Sequence, residues 1–390
     1  MLIRFEVSNF RSIRDRVEFS MVAVDRERAA ARAVSGLGES LLTVAGIFGP
    51  NASGKSSVLG AMAHLRRAVA ESFPAREEAS LMQPFTLPRD GARVGEFVVE
   101  MTVAGVRFEY RVTLESGQVQ YEGLFHYPER KRRRLFERRG SELTLARGLG
   151  TLAVARDLLA PQVLVLSIAR QVGPSLVGDF AEELLSIQVW NASDDGYAAE
   201  CWREAGGAAI ALALMKLVDP DVDEILVDQP AAAEGSSGVA IVRRGSGRSM
   251  VCEVVDESGG VRRWFSVVPS VVAALTSGAV VVADDLDAGI HPLVVAELVR
   301  VFGDRVANPK GAQLVFASAR TGLLNQLNRD EVWFTEKSEE GVTRLGSLAE
   351  FAGERVRKSE NVERSYLAGR FGALPEVGGM ARELGSVVDV

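Results

Sequence analysis

The chain has 390 residues, of which 47% are hydrophobic and 25% are charged. This composition is typical of a soluble globular protein that is long enough to bury two or three sub-cores. The formal net charge of −7 excludes a surface covered in basic residues, although a local basic patch is compatible with it. Two cysteines and three histidines exclude a disulfide framework and argue against a histidine-based zinc site.

No segment of the sequence predicts a signal peptide or a membrane span. The first residues, MLIRFEVSNF, alternate like a strand and lack the apolar run of a signal peptide. The most apolar window, residues 266–283, contains Pro269 and Gly278 and is followed by two aspartates. It predicts a buried helix, a turn and a buried strand. We therefore expect a cytoplasmic protein without membrane contact.

A glycine-rich loop, GPNASGKS, has the G-x-x-x-x-G-K-[ST] spacing of a phosphate-binding P-loop. A β-prone segment precedes it at 41–48, and a helical pattern follows it at 56–73. In that context the backbone N–H groups and the start of the helix face phosphates. Lys55 would reach the β- and γ-phosphates, and the Ser56 hydroxyl would bind Mg²⁺. The predicted nucleotide-contacting residues of the loop are Gly49, Pro50, Asn51, Ala52, Ser53, Gly54, Lys55, Ser56 and Ser57.

A second motif, AVVVADD at 279–285, predicts a short buried strand that ends in two carboxylates. A strand of this kind is the form of a Walker B motif, in which Asp284 would hold Mg²⁺ and Asp285 would activate the attacking water. No N-K-x-D motif occurs in the sequence, which disfavours a GTPase. ATP with Mg²⁺ is therefore the expected cofactor.

The segment Ser258-Gly259-Gly260 stands between these two motifs and predicts the start of a helix. A helix N-terminus of this composition is an anion site, although the letters ESGG alone would suit a surface loop better. The order of P-loop, long insert, Ser-Gly-Gly helix and Walker B strand is that of ABC-type ATPases. In those ATPases the signature helix of one subunit caps ATP on the P-loop of another, which predicts a homodimer or a higher homo-oligomer.

Four further segments extend the pattern. They are FEVSNFRSIRDRVEFSM at the start, MQPFTL at 82–87, DLDAGIHPLVVAELVRVF at 285–302 and RSYLAGRFGALP at 364–375. Together with the motifs above, they resemble bacterial AAA/ABC-type ATPases of the OLD- and RecF-like group, in particular the abortive-infection ATPases of anti-phage systems. The resemblance covers almost the whole chain. It implies an α/β, ABC-type (RecF/SMC-head-like) P-loop ATPase fold with an antiparallel β lobe, a RecA-like core sheet and a short helical insert.

The resemblance also assigns individual residues. It implies that Arg11 lies near the adenine, in the opening β-hairpin, and that Gln83 of a Q-loop contacts metal and water. Asp287 and His291 correspond to the family's D-loop and the helix after it. Taken alone, Gln83 would better suit the cap of a turn, and His291 the cap of a helix beside Pro292.

Two departures from the family pattern bear on the rate of hydrolysis. The family usually has a glutamate where this chain has Asp285, and a histidine that contacts the γ-phosphate where it has Ala319. A shorter carboxylate can still orient water, but loss of a γ-phosphate donor would slow hydrolysis by roughly 100-fold or more. The sequence thus predicts slow turnover.

We expect three parts. Residues 1–128 form a first ATPase lobe with the P-loop and an antiparallel β-subdomain, 129–219 a basic hairpin and a helical insert, and 220–390 a second lobe with signature helix, Walker B strand and tail. The insert includes helical patterns at 176–190 and 198–218. It is far too short for the coiled coil of SMC proteins.

One basic run is the candidate for nucleic-acid contact. It comprises Arg130, Lys131, Arg132, Arg133 and Arg134, with Arg138 and Arg139 close behind. Contacts by such a run would be to phosphates and carry little sequence information. The alternative is a solvated hairpin tip, or a dock for an acidic protein.

Two functions remain open on the sequence. The first is an ATPase whose ATP-driven dimerisation works a switch in anti-phage defence or DNA maintenance. The second is a nucleotide-gated scaffold or sensor with marginal hydrolysis, which controls a separate effector such as a TOPRIM-type nuclease. No nuclease constellation is visible in the chain, so cleavage would need that partner.

Overall fold

A computed structural model describes residues 1–28, 30–73, 94–191, 202–203, 207–227, 239–245, 248–351 and 361–375. The predicted Q-loop with Gln83 lies outside these residues. In the part of the chain that is described, no helix combines the length and apolarity needed to cross a membrane.

The strands follow one another along the chain as β1 (Leu2–Ser8), β2 (Val17–Ser20), β3 (Ala31–Ala33), β4 (Ser40–Leu42), β5 (Val44–Phe48), β6 (Val94–Val103), β7 (Val106–Glu115), β8 (Gln118–His126), β9 (Arg133–Arg139), β10 (Glu142–Leu145), β11 (Gln188–Asn191), β12 (Val222–Val227), β13 (Val239–Gly245), β14 (Arg248–Glu253), β15 (Val280–Asp284), β16 (Gln313–Ser318), β17 (Val332–Lys337) and β18 (Thr343–Ser347). The α-helices are α1 (Lys55–Glu71), α2 (Ala155–Leu158), α3 (Val165–Ala169), α4 (Leu176–Leu185), α5 (Ala208–Met215), α6 (Gly259–Ser277), α7 (Pro292–Gly303), α8 (Leu348–Phe351) and α9 (Val362–Leu367).

The first large sheet is antiparallel, with the strand order β10-β9-β8-β7-β6-β1-β2. Strands β6 and β7 pair with each other in this sheet, and Phe97, Val99 and Met101 bury one face of β6 in the core. Strands β9 and β10 continue this sheet beyond residue 128, because apolar side chains such as Phe136 join the same core. The three-part division stays a prediction, but the start of its insert belongs structurally to the antiparallel sheet.

The second large sheet has the order β11-β15-β16-β5-β17-β18 and is parallel except for β18. Successive side chains of β15 pack into different hydrophobic cores on the two faces of this sheet. Val280 and Val282 of β15 pack on the side of α1 and the antiparallel sheet, whereas Val281 and Ala283 pack on the side of α6 and α7. Burial on both faces explains why the sequence of β15 is continuously apolar. The P-loop strand β5 lies between β16 and β17, near the middle of this sheet.

The helical pattern at 176–190 is only half correct. Helix α4 ends at Leu185, and residues 188–191 form strand β11, which pairs in parallel with the Walker B strand β15. Trp190 is buried there and donates a hydrogen bond of 3.0 Å from Nε1 to Ser266 Oγ. Pairing with the edge of β15, which β11 covers, therefore overrides the local helix preference of residues 188–191.

The C-terminal segment 361–375 packs against β17. The rings of Tyr366 and Phe334 stack with centroids 5.1 Å apart, and the Tyr366 hydroxyl donates to the carbonyl oxygen of Ala373 at 2.6 Å. The remaining sheets are small: β12-β13-β14, which is antiparallel, and the pair β3-β4.

Candidate nucleotide-binding site

The glycine-rich loop connects the carboxyl end of β5 to the start of α1, so the predicted strand and helix on either side of it are confirmed. Gly54, the residue before the helix, has φ 109°, a conformation that favours glycine. Its position leaves no room for a Cβ, because the side chain of Thr343 occupies that space. The first N–H groups of α1 and the loop backbone thus form a cradle of the kind that binds phosphate.

Lys55 is buried at the start of α1, and its ammonium group lies over the loop. Nζ donates to the carbonyl oxygens of Gly49 at 2.8 Å and Pro50 at 3.0 Å. Burial lowers the pKa of Lys55, and the nearby carboxylates of Asp285, Asp284 and Asp287 act in the opposite direction. The loop therefore holds the positively charged ammonium group of Lys55 directly at the cradle.

Asp284 is the last residue of β15, and its carboxylate faces the Ser56 hydroxyl, with which it forms a hydrogen bond. One of its two carboxylate oxygens, Oδ1, is buried and has no hydrogen-bond partner among the described residues. Burial is the main cause that raises the pKa of Asp284, and the hydrogen bond from Ser56 lowers it. A carboxylate oxygen without a partner beside a hydroxyl suits Mg²⁺, which prefers oxygen ligands.

The part of the chain that is described contains no group of three or more histidine, cysteine or acidic side chains that could hold a metal by themselves. Mg²⁺ is usually bound by one or two protein oxygens together with water and phosphate. Ser56 and Asp284 are the residues that would hold it.

Asp285 follows in a tight turn with φ 49°, and its side chain is exposed. Ala319, which stands where the family has histidine, lies in the exposed bend after β16. An exposed carboxylate is accessible to a water molecule, and an alanine side chain offers no hydrogen-bond donor to a phosphate.

Asp287 is buried, unlike its neighbour Asp285. It accepts a hydrogen bond from Ser318 Oγ at 2.7 Å, and Arg320 Nε lies 3.7 Å from the same carboxylate oxygen. Arg320 also donates to the carbonyl oxygen of Ile290 at 2.9 Å. The sequence analysis missed Ser318 and Arg320. Their position at the carboxyl end of a buried strand, where ligands of parallel sheets bind, is the signal that would have found them.

His291 is the N-cap of α7, and its Nδ1 accepts from the N–H of Leu293 at 3.2 Å. The helix-cap alternative for this histidine is thereby confirmed.

The predicted start of the Ser-Gly-Gly helix is also confirmed. Ser258 is the N-cap of α6, and Ser258 and Gly259 are exposed. A Cβ added to Gly259 would meet no described atom within 4 Å, whereas one added to Gly260 would lie 2.8 Å from the carbonyl oxygen of Gly289. Gly260 therefore permits close packing on the turn after β15, whereas Gly259 faces open space.

Arg11 lies in the turn after β1, with φ 49°. Its guanidinium group lies against Gly60 of α1, where an added Cβ would be 2.6 Å from Nη1. A cavity of about 420 Å³ beside α1 is lined by Arg11, Ser56, Gly60 and Asp284, among other residues. The structure thus brings Arg11 to the end of the site where Ser56 and Asp284 meet.

The basic run lies elsewhere, at the connection between β8 and β9. All five of its residues are exposed, but three are paired with carboxylates: Arg132 with Glu109 at 3.2 Å, Arg133 with Glu129 at 3.9 Å and Arg134 with Glu137 at 3.0 Å. Arg138 is different, because it is buried and donates to backbone carbonyl oxygens.

A family model described as "AAA domain, putative AbiEii toxin, Type IV TA system" matches residues 44–161 and 207–324. The chain belongs to this AAA family. The matched parts include the P-loop, the Ser-Gly-Gly helix and the strand that ends in Asp284. This AAA protein has an α/β fold with an antiparallel lobe and a mostly parallel core sheet that carries the P-loop.

Two solved structures are similar to this AAA protein over most of their length. One is an Smc head bound to the C-winged helix domain of ScpA, with 13% identity, a TM-score of 0.47, and coverage of 89% of this chain and 97% of that one. The other is an Smc head domain with an extended coiled coil, bound to the C-terminal domain of ScpA derived from Pyrococcus furiosus. It has 11% identity, a TM-score of 0.45, and coverage of 89% and 96%. No curated protein sequence matches the chain.

Proposed function

We propose that this AAA protein binds ATP with Mg²⁺, hydrolyses it slowly, and uses it to join two copies of the chain as a switch. The observation that carries the proposal is the meeting of three groups at the phosphate cradle: the Lys55 ammonium, the Ser56 hydroxyl and the partnerless Oδ1 of Asp284. A nucleoside triphosphate with Mg²⁺ requires a positively charged side chain at the cradle, which is Lys55, and oxygen ligands for the metal beside it.

In the proposed reaction Lys55 leaves the loop carbonyl oxygens and donates to the β- and γ-phosphates. Ser56 and Asp284 would hold Mg²⁺, which would neutralise part of the phosphate charge. Asp285, exposed at the end of β15, orients the attacking water and accepts its proton. Since Ala319 gives no hydrogen bond to the γ-phosphate, the charge that develops there is stabilised less well than in the family's usual site.

Dimerisation is proposed from the start of α6. Ser258 and Gly259 form an exposed helix N-terminus, which is suited to an anion. In a head-to-head dimer with twofold symmetry, this terminus of one copy would cap the ATP bound by the other. The dimer would then form with ATP and separate after hydrolysis.

The biological role is proposed from the family resemblance, as a switch in anti-phage defence or DNA maintenance. The second candidate function is a nucleotide-gated scaffold that controls a separate effector, such as a TOPRIM-type nuclease. The shorter carboxylate of Asp285, in place of the family's glutamate, and the missing donor at Ala319 favour a long-lived ATP-bound state, which serves both functions.

Calorimetric titration with ATP, in Mg²⁺ and in EDTA, tests the proposal. Lys55→Ala removes a charged hydrogen-bond donor, so the affinity for ATP is expected to fall roughly 100-fold. Asp284→Asn is expected to abolish the gain in affinity that Mg²⁺ gives the wild type.

Asp284→Asn also provides its own control. Burial raises the pKa of Asp284 above that of an ordinary aspartate, so ionisation at neutral pH costs the folded state free energy. The nucleotide-free variant is therefore expected to melt no lower than the wild type. ATP binding that is the same in wild type and Lys55→Ala would overturn the proposal.

A further inference from the structure

We propose that Thr343 is a positioning residue for the phosphate loop and for the turn that carries Arg11. It acts within a set of five hydroxyl side chains that we call the hydroxyl brace: Ser12, Ser53, Ser57, Thr335 and Thr343. The inference rests on the proposed ATP binding and adds a residue on β18, at the far edge of the parallel sheet's strand order, to the machinery of the site.

The first part of the brace holds the loop itself. Thr343 is 1% exposed, and its hydroxyl donates to the carbonyl oxygen of Ser53 at 3.1 Å. Its side chain also fills the space beside Gly54. On the other side, Thr335 Oγ1 lies 2.6 Å from Ser53 Oγ and donates to the carbonyl oxygen of Phe48 at 3.3 Å. The loop is therefore held from two strands at the residues just before α1.

The second part joins the loop to the turn after β1. The N–H of Thr343 donates to the carbonyl oxygen of Ser12 at 2.8 Å, and the hydroxyls of the two residues lie 2.8 Å apart. Ser12 Oγ also lies 2.6 Å from Ser57 Oγ in the first turn of α1. Arg11 immediately precedes Ser12. Thr343 thus contacts both segments that face the proposed nucleotide.

The physical reason for such a brace is preorganisation. A phosphate is bound by several backbone N–H groups at once, and a loop that must first be ordered binds more weakly because ordering costs conformational entropy. Loss of the Thr343 hydroxyl would leave the carbonyl oxygen of Ser53 without its donor in a buried place. A buried acceptor without a partner costs free energy, and the loop would shift to satisfy it.

The test compares ATP affinity, measured by calorimetry in Mg²⁺, across matched variants. Thr343→Val keeps the shape and removes the hydroxyl, so the affinity is expected to fall about tenfold, the effect of one buried acceptor left without a partner. Thr343→Ser restores the hydroxyl and is expected to bind within about twofold of the wild type.

Thr43→Val is the matched control. Thr43 is 0% exposed, and its hydroxyl donates to the carbonyl oxygen of Ala30 at the same 3.1 Å, but it precedes β5 at the end remote from the loop. The carbonyl oxygen of Ala30 keeps the N–H of Thr43 as a donor at 3.1 Å. We therefore expect this variant to lower the melting temperature of the nucleotide-free protein by no more than Thr343→Val does and to leave ATP affinity unchanged. A purely structural role for Thr343 would make the two variants alike in affinity.

Circular dichroism establishes that each variant folds. Were Thr343→Val not to fold, Ser12→Ala would take its place, with the same expected loss of affinity. Wild-type affinity in Thr343→Val, or in Ser12→Ala when it takes that place, overturns the inference while leaving the proposed function intact. A wild type that does not bind ATP overturns the proposed function and this inference with it.

Discussion

At the scale of single residues, two neighbouring aspartates have opposite surroundings. Asp285 is exposed in a turn, whereas Asp287 is buried and accepts a hydrogen bond from Ser318. A buried carboxylate that is already bonded is poorly placed to accept a proton from water. The geometry therefore favours Asp285 for water activation and Asp287 for holding the turn.

The variant Asp285→Asn tests this division. Asn is preferable to Ala because residue 285 has φ 49°, a conformation that Asn tolerates well. Hydrolysis is expected to fall roughly 100-fold, the usual contribution of a general base, while ATP affinity stays unchanged. Phosphate release and calorimetry measure the two quantities.

The double variant Asp285→Glu with Ala319→His is the converse test, because it restores both groups of the family pattern. Its turnover is expected to exceed that of the wild type. Fast wild-type hydrolysis that survives Asp285→Asn would show that another group activates the water.

At the scale of elements, the start of α6 serves two neighbours. Gly260 packs on the turn after β15, and Ser258 and Gly259 remain exposed. The packed glycine fixes the direction of the helix relative to Asp287 and Asp285. The exposed residues are then presented to a second copy.

Ser258→Arg is expected to abolish the ATP-dependent increase in molecular mass, because a bulky cation would occupy the place of the bound anion. Light scattering with ATP and Mg²⁺ measures the mass. Ser175→Arg is the matched control, since Ser175 is the N-cap of α4 and accepts from Gly178 at 3.0 Å. Both changes remove an N-cap, at a cost of about 1 kcal/mol, but only the first should affect the mass. Equal masses of the wild type with and without ATP would argue against the ATP-linked dimer.

At the scale of the whole molecule, two cores share one parallel sheet, and the residues proposed to bind the nucleotide gather at the carboxyl ends of its strands. The basic run lies at a connection of the antiparallel sheet, and three of its five basic side chains pair with glutamates. A protein of net charge −7 attracts nucleic acid only through such a local patch.

Replacing Arg132, Arg133 and Arg134 with glutamate is expected to leave ATP binding intact. If the run contacts phosphates, affinity for DNA or RNA falls, and the salt dependence flattens by roughly one unit for each lost contact. The control reverses three other exposed, ion-paired arginines, Arg14, Arg244 and Arg300, which gives the same net charge. Unchanged affinity and salt slope would favour the solvated hairpin tip.

Much of the site was predictable because its residues are close in sequence. The P-loop with its strand and helix, the strand that ends in Asp284 and the start of α6 each lie within one short segment, and local spacing determines their structure. The helix predicted at 176–190 was wrong in its second half because the structure there depends on a distant segment. Strand β11 forms by pairing with β15, which lies about ninety residues further along the chain.

The sequence by itself determined the AAA family, and it predicted the nucleotide and the residues that carry charge at the cradle, because those chemical groups are contiguous. Only the tertiary structure decided which hydroxyls brace the loop, which aspartate is exposed and which arginine is buried. Arg138 follows the basic run in sequence, yet it is 2% exposed and faces the buried Glu122 at 3.9 Å. Burial and hydrogen-bond partners depend on residues that the fold brings together from distant positions, and no local pattern encodes them.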